Sequence, residues 1–555
     1  MKQLYSFIFF SMLFFLPVLL YGQNNLILPD FTASGGKYLN DQIFADTLAN
    51  GTHDTTRVYI LNRNGLYKVN GSINNNGWPL QVRASYGTGY PPFILLVPGS
   101  GQTQVPAQMI LAGGKVYLTN LQITGYNETS PSTISTMNTF LINNAATGNT
   151  IVVDSCILSN VVRGLLWMNI AARYIKVTHS ILANSGYLGN NDIGNGRAVD
   201  LRTGACDTLI IQNNTIINMQ DRLIRHYSST APIMYVLFDH NTVVNNMSYH
   251  GFLSFGLMNA AGGSKGIVTN NLLLNPFALG NDTDATRQVE FADNAELDVY
   301  GRPRMLWVSA VPDPTTVWTF KKNYYGISAE NQAFYSANLP SLAGVAYEGL
   351  ALPWHINAKI GADSQTAFVK VPLIMTKVPL VMTAEMAWYR SPSGGNKTKI
   401  YSSWTLTNDM NRASYSYLID SINCNFNCDV NLSTASLDGK VVGDTRWHWI
   451  TRVGVDGTAN PLPMKYDLIN NYPNPFNPTT LIQYELPTTS HVVLKVYDIL
   501  GRELSTLVNG IKVAGNYKLS FDASHLTSGV YFAQIAIQSE NGQSFQKMIK
   551  MVLMK

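Results

Sequence analysis

Short apolar runs recur along the first half of the chain, each closed by an asparagine. "DSCILSN" (154–160), "THSILAN" (178–184), "NNTIIN" (213–218), "HNTVVN" (240–245) and "NNLLLN" (270–275) align without gaps. Each follows a β-rich run: "TIVV", "YIKV", "TLII", "YVLF" and "GIV". Apolar residues that are β-branched, alternating or in runs of three mark strands buried along one face, because successive strand side chains point to opposite sides. "LTNLQITG" (118–125) reads as an earlier copy and "TFKKNYYG" (319–326) as a degenerate later one. The closing residues Asn160, Asn184, Asn218, Asn245 and Asn275 are spaced 24, 34, 27 and 30 residues apart. A constant core with variable spacing predicts the coils of a solenoid, with loops inserted on one side.

Asparagine suits the corners of such coils. It tolerates the left-handed backbone and bonds nearby peptide groups. Coils stacked about 4.8 Å apart also let equivalent amides bond one another in a ladder. Asn214, Asn241 and Asn271 form a second column on the same reasoning, with Ser180 and Cys156 in its slot in earlier coils. His179 and His240 occupy turn slots otherwise held by asparagine and are read as turn residues. Upstream, residues 57–85 read as two strands around a glycine turn and a third strand ending at Arg83. This stretch resembles the opening coils of secreted right-handed parallel β-helix proteins related to pectate lyases and chondroitinase-B-like polysaccharide lyases. The resemblance covers roughly residues 25–330 and implies a pectin lyase-like fold and an extracellular polysaccharide as partner.

From 331 to 460 the repeat fades into a Trp- and Tyr-rich stretch that ends in "GKVVGDTRWHW" (439–449), similar to endings of other secreted β-helix proteins. It reads as an extension or cap covering the open end of the solenoid. A Pro-rich linker at 461–471 leads into "NNYPNPFNPTTLIQYELP" (470–487) and "VVLKVYDILGRELSTLV" (492–508). Alternation in "VVLKVYDI" and "GVYFAQIAI" marks half-buried strands, and "LGRE" marks a turn, as in an immunoglobulin-like sandwich. Residues 466–555 resemble the type A C-terminal sorting domain of type IX secretion cargo, through Tyr472, Pro473, Pro475, Asn477, Pro478, Tyr497, Asp498, Gly501, Gly515, Asp522, Gly529, Tyr531 and the closing lysines. That resemblance implies a domain at 472–555 that binds the outer-membrane translocon. The fold class expected is all-β: a right-handed parallel β-helix followed by a C-terminal immunoglobulin-like β-sandwich.

Composition narrows the picture. Of 555 residues 46% are hydrophobic and only 13% charged, with a net charge of +4. So weak a field implies no nucleic-acid partner. Lys2 and the apolar run Leu4–Tyr21 describe a secretory signal peptide over residues 1–22. No later segment is long and apolar enough to span a bilayer, so a secreted or cell-surface protein is expected. Four cysteines make no disulfide framework; Cys156 falls in a strand pattern, and Cys424 and Cys428 read as a short-loop disulfide or two free thiols.

The candidate chemistry is cationic and aromatic. Arg163, Arg197, Arg222 and His250 each precede a strand in four successive coils, with Val199, Ile224 and Phe252 as an inward column two residues on. On that alignment the four line one edge, with Arg202, Arg225, His226, Tyr227 and Tyr249 close by. Such a strip suits an acidic polysaccharide, because arginine pairs bidentately with carboxylate and aromatic faces pack on sugar rings. In a β-eliminating lyase Arg222 and Arg225 would stabilise charge, and His226, His250 or Tyr249 would take the proton. Chondroitinase-B-like lyases imply a Lys/Arg pair, and no lysine falls at a matching position. A glycoside hydrolase would use Asp200 and Asp221. A non-catalytic adhesin would use the same strip without turnover, and pairing of these arginines with Asp200 and Asp221 is the structural alternative. Calcium is the one cofactor the sequence offers, through the acidic loop 281–298, whose spacing matches no EF-hand and which reads first as a solvated insertion.

Overall fold

A computed structural model describes residues 24–127, 140–186, 196–202, 204–226, 231–246, 253–255, 264–276, 306–308, 316–338, 359–379, 382–383, 422–449, 466–486, 490–512, 515–539 and 544–555. The leader at 1–22 and the acidic loop at 281–298 lie outside these residues. The chain divides into two compact units, Met1–Ile450 and Thr451–Lys555.

In the first unit each coil gives one strand to each of three parallel sheets. One turn runs through Asn149–Asp154 in the first sheet, Ile157–Val161 in the second and Gly164–Trp167 in the third, then returns to the first at Ala172–Thr178. The first and second sheets hold ten described strands each and the third eight, a parallel β-helix. Parallel register places like residues on successive rungs. Val153, Val177, Ile211, Phe238, Val268 and Phe320 stack in the first sheet, and Leu158, Leu182, Ile216, Val243 and Leu273 in the second, all buried. The copies at 118–125 and 319–326 are coils of the same kind.

The asparagines do what their chemistry allows. Asn160, Asn184, Asn218, Asn245 and Asn275 adopt φ of 54–61°, the left-handed region that most side chains avoid. Their amides form a buried ladder: Asn184 donates to Asn160 at 3.2 Å, Asn218 to Asn184 at 2.9 Å, and Asn245 to Asn218 and Asn275 to Asn245 at 3.0 Å. The second column corrects the expectation in one respect. There the left-handed residue is the one before, namely Ser155, His179, Asn213, His240 or Asn270. Asn214, Asn241 and Asn271 supply the ladder, Asn214 donating to Asn241 and Asn241 to Asn271 at 3.1 Å, and Asn271 to Asn323 at 2.8 Å, and each also donates to a backbone carbonyl, of Val177, Ile211 and Phe238 in turn. Ser180 and Cys156 extend it, since the Ser180 N–H donates to Asn214 and the Cys156 N–H to Ser180.

Described parts of the 331–460 stretch take two places. The helix Ala329–Asn338 lays Phe334 and Tyr335 on the main core, and Phe368–Lys370 pairs with Asn323–Gly326 as a further rung of the second sheet. Residues 371–378 and 422–449 instead cover the other side of that sheet. A second hydrophobic cluster joins Ala183, Ile217, Val244 and Leu272 of the coils to Leu373, Cys424, Phe426, Leu432 and Val442. A strap of hydrogen bonds crosses successive rungs: Gly443 N–H to Asn270 O at 2.8 Å, Asp444 N–H to Thr242 Oγ1 at 2.9 Å, Thr445 N–H to Asn213 Oδ1 at 2.8 Å and Arg446 to His179 O at 2.6 Å. This part of the "GDTRW" segment therefore runs along the solenoid rather than over its end. All four cysteines are buried free thiols.

The second unit is an antiparallel β-sandwich. One sheet contains Asp467–Tyr472, Thr479–Leu486 and Gly515–Asp522; the other contains Ser490–Tyr497, Glu503–Lys512, Gly529–Ser539 and Ser544–Leu553. Alternating residues Ile482, Tyr484 and Leu486 meet Val492, Leu494, Val496, Ala533, Ile535 and Ile537 in one core. The expected turn at "LGRE" is built by Asp498, whose carboxylate accepts the Leu500 and Arg502 N–H groups at 2.9 Å, with Gly501 at φ 77°.

Candidate functional site

Register decides where the candidate cations fall. In the third sheet Gly164 pairs with Arg197, Leu166 with Val199, Val199 with Ile224, and Ile224 with Leu253. Arg197 and Arg222 thus hold equivalent slots, while Arg163 aligns one residue away and the inward column continues through Leu253 rather than Phe252. The row of four is corrected on this point: a one-residue offset in a strand turns a side chain to the opposite face. His250, Tyr227 and Tyr249 lie outside the described residues.

Arg163 and Arg202 are exposed, whereas Arg197 is only 1% exposed. The Arg197 guanidinium bonds Asp221 Oδ2 through Nε at 2.9 Å and Asp200 Oδ2 through Nη1 at 3.0 Å. Arg225 grips Asp200 bidentately at 2.9 and 2.6 Å, and Arg222 Nε stands 3.9 Å from Asp221. Burial pulls the Arg197 guanidinium below its usual value, while Asp200 and Asp221 act to raise it. Three arginines and two aspartates thus form one network across neighbouring rungs. The two carboxylates proposed for hydrolysis both face the same guanidinium.

His226 sits beside this network. It pairs in register with Arg202, is fully buried, and its Nε2 lies 2.8 Å from Ala231 O. Burial lowers its pKa to about 4, so the ring is neutral at physiological pH.

The sequence reading missed Trp167. Its rung neighbours are Asn143 and Asp200, its ring lies 4.6 Å from that of Phe140, and the Arg202 guanidinium stands 5.7 Å from its centroid. The pair depends on a bulge after Asp200, where Arg202 takes φ 49°. The available signal was a tryptophan ending the apolar run "RGLLW"; only the structure shows it partly exposed. A ring face beside a cation is a surface for a sugar ring bearing a carboxylate.

Residues 470–551 match the secretion system C-terminal sorting domain family. The tail marks the chain for export by type IX secretion to the cell surface or the extracellular space. No curated protein and no solved structure matches the chain. Among the described residues no helix is long and apolar enough to cross a membrane, and no group of three acidic, histidine or cysteine side chains is placed to hold a metal ion.

Proposed function

We propose that the exported β-helix binds acidic extracellular polysaccharide on its third sheet and does not cleave it. The observation that carries this reading is the pairing of Trp167 with exposed Arg202, held on a charge-compensated network. Arg163, in the turn just before the strand that carries Trp167, adds an exposed cation. A lyase needs cations with unspent charge to stabilise a developing dianion. Arg197 and Arg225 already face Asp200 and Asp221, and His226 is buried against a backbone carbonyl, which favours binding over β-elimination or hydrolysis. In this proposal residues 1–22 lead the chain out of the cytoplasm and residues 472–555 engage the type IX translocon.

Purified protein mixed with pectate, alginate and chondroitin tests both halves. Binding without ultraviolet absorbance from unsaturated products is expected, and Trp167→Ala with Arg202→Ala should weaken it by about tenfold, or 1.4 kcal/mol. Accumulating unsaturated product that Arg222→Ala abolishes would replace this reading with the lyase.

A further inference from the structure

The three sheets differ in what lies on their outer sides. The second is covered by residues 371–378 and 422–449. On the first, strands alternate buried residues with half-buried or exposed ones, as in Cys206–Gln212 and Lys265–Thr269. Register sorts these outward residues into columns. One column runs Thr150, Tyr174, Thr208, Tyr235, Lys265. Beside it runs Tyr117, Val152, Lys176, Ile210, Leu237, Ile267.

We infer that this open face of the first sheet is a second glycan platform, which takes an extended acidic polysaccharide lying across the strands, along the stack of coils. Tyr174 and Tyr235 share a column two rungs apart, about 9.5 Å from the strand spacing. That separation suits every second sugar of an extended chain in which alternate rings present the same face. Phenol rings supply apolar area with a polar edge, the contact a pyranose ring takes. Lys176 and Lys265 stand one column across from, and one rung beyond, the tyrosines. Among the described residues no acidic side chain pairs with either, so both are available to carboxylate or sulfate groups. Two carboxylates of the face are set at its turn edge and engaged: Asp154 accepts from Thr178 at 2.6 Å, and Asp239 from Gln212 at 2.9 Å and Thr269 at 2.7 Å; Asp207 is exposed near the opposite end of its strand, away from the lysine and tyrosine columns' centre. The centre of the face is therefore aromatic, apolar and cationic, complementary to a polyanionic sugar chain and not to a neutral one.

The ligand class rests on the polysaccharide reading above, while the residues are different, and the two separate experimentally. The full-length protein is titrated with long-chain chondroitin and pectate, and with a neutral glucan. Tyr174→Ala/Tyr235→Ala should reduce uronate affinity by about tenfold, and Tyr174→Phe/Tyr235→Phe should retain it, with unchanged thermal melting in both. Lys176→Ala/Lys265→Ala should weaken binding and flatten its salt dependence. Parental affinity in the alanine pair overturns the platform, and equal affinity for the neutral glucan overturns its acidic assignment. Loss in the tyrosine pair with none in Trp167→Ala/Arg202→Ala would leave this platform standing and remove the third-sheet site. A parent chain that binds no polymer overturns both.

Discussion

The asparagine ladders and the Arg197 network are both polar, both buried in the same solenoid, and held in different ways. A ladder is neutral and periodic. Each amide donates to one neighbouring rung and accepts from the other, so the device works wherever coils stack and each link carries a similar load. The Arg197 network is charged and, among the described residues, occurs once. It needs Asp200 from its own strand, Asp221 from the next corner and Arg225 from the next rung, and removing any one leaves charge stranded in a dry site. Periodic neutral bonding therefore spreads its contribution, whereas a local ion network concentrates it.

The sharpest way to break this comparison is Arg197→Leu. With the guanidinium gone, Asp221 loses its closest buried partner and Asp200 keeps only Arg225, so stability should fall by about 3–5 kcal/mol. Denaturant unfolding of the first unit measures it; an unchanged midpoint would mean that water reaches the two carboxylates.

The next effect is pH-dependent. The pKa of His226 falls from 6.5 unfolded to about 4 folded because burial disfavours its charged form. The unfolded chain thus takes up a proton first as pH drops, and the stabilisation present above about pH 6.5 is lost progressively toward pH 4. At about 1.4 kcal/mol per unit the loss is on the order of 3 kcal/mol. Melting curves across that range should be flatter for His226→Asn than for the parent. Equal slopes would assign the acid sensitivity to other groups.

A ladder link should cost less. Asn218→Ala removes bonds to Asn184 and Asn245 and puts a Cβ-bearing residue without a compensating amide at φ 55°, for about 1–3 kcal/mol. Asn218→Gly should recover the backbone part of that loss, since glycine adopts positive φ freely. Identical melting of the alanine and glycine variants would place the whole effect in the amide bonds. Smallest of all, Arg163→Ala at an exposed corner should change stability by no more than about 0.5 kcal/mol. A larger shift would reveal a partner for Arg163.

The chain's own pattern determined the coils, the corners and the tail. Apolar alternation fixes which residues turn inward, asparagine at a repeated slot supplies both a left-handed corner and a bond to the next rung, and the sorting-domain motifs are contiguous in sequence. Each of these is a local or strictly periodic property. Tertiary structure alone decided the site. Arg163 looked equivalent to Arg197 because each immediately precedes an apolar strand run, but loops of different length intervene, and only strand pairing shows that Gly164 is the partner of Arg197. That Asp200 and Asp221 bond one guanidinium was likewise invisible in the sequence. Trp167 and Arg202 stand 35 positions apart and face each other only through adjacent rungs and a bulge. The residues that strap the second sheet lie 173 to 267 positions from their partners. Non-local contacts of this kind depend on register and loop closure, and a strand offset by one residue exchanges every inward side chain for an outward one.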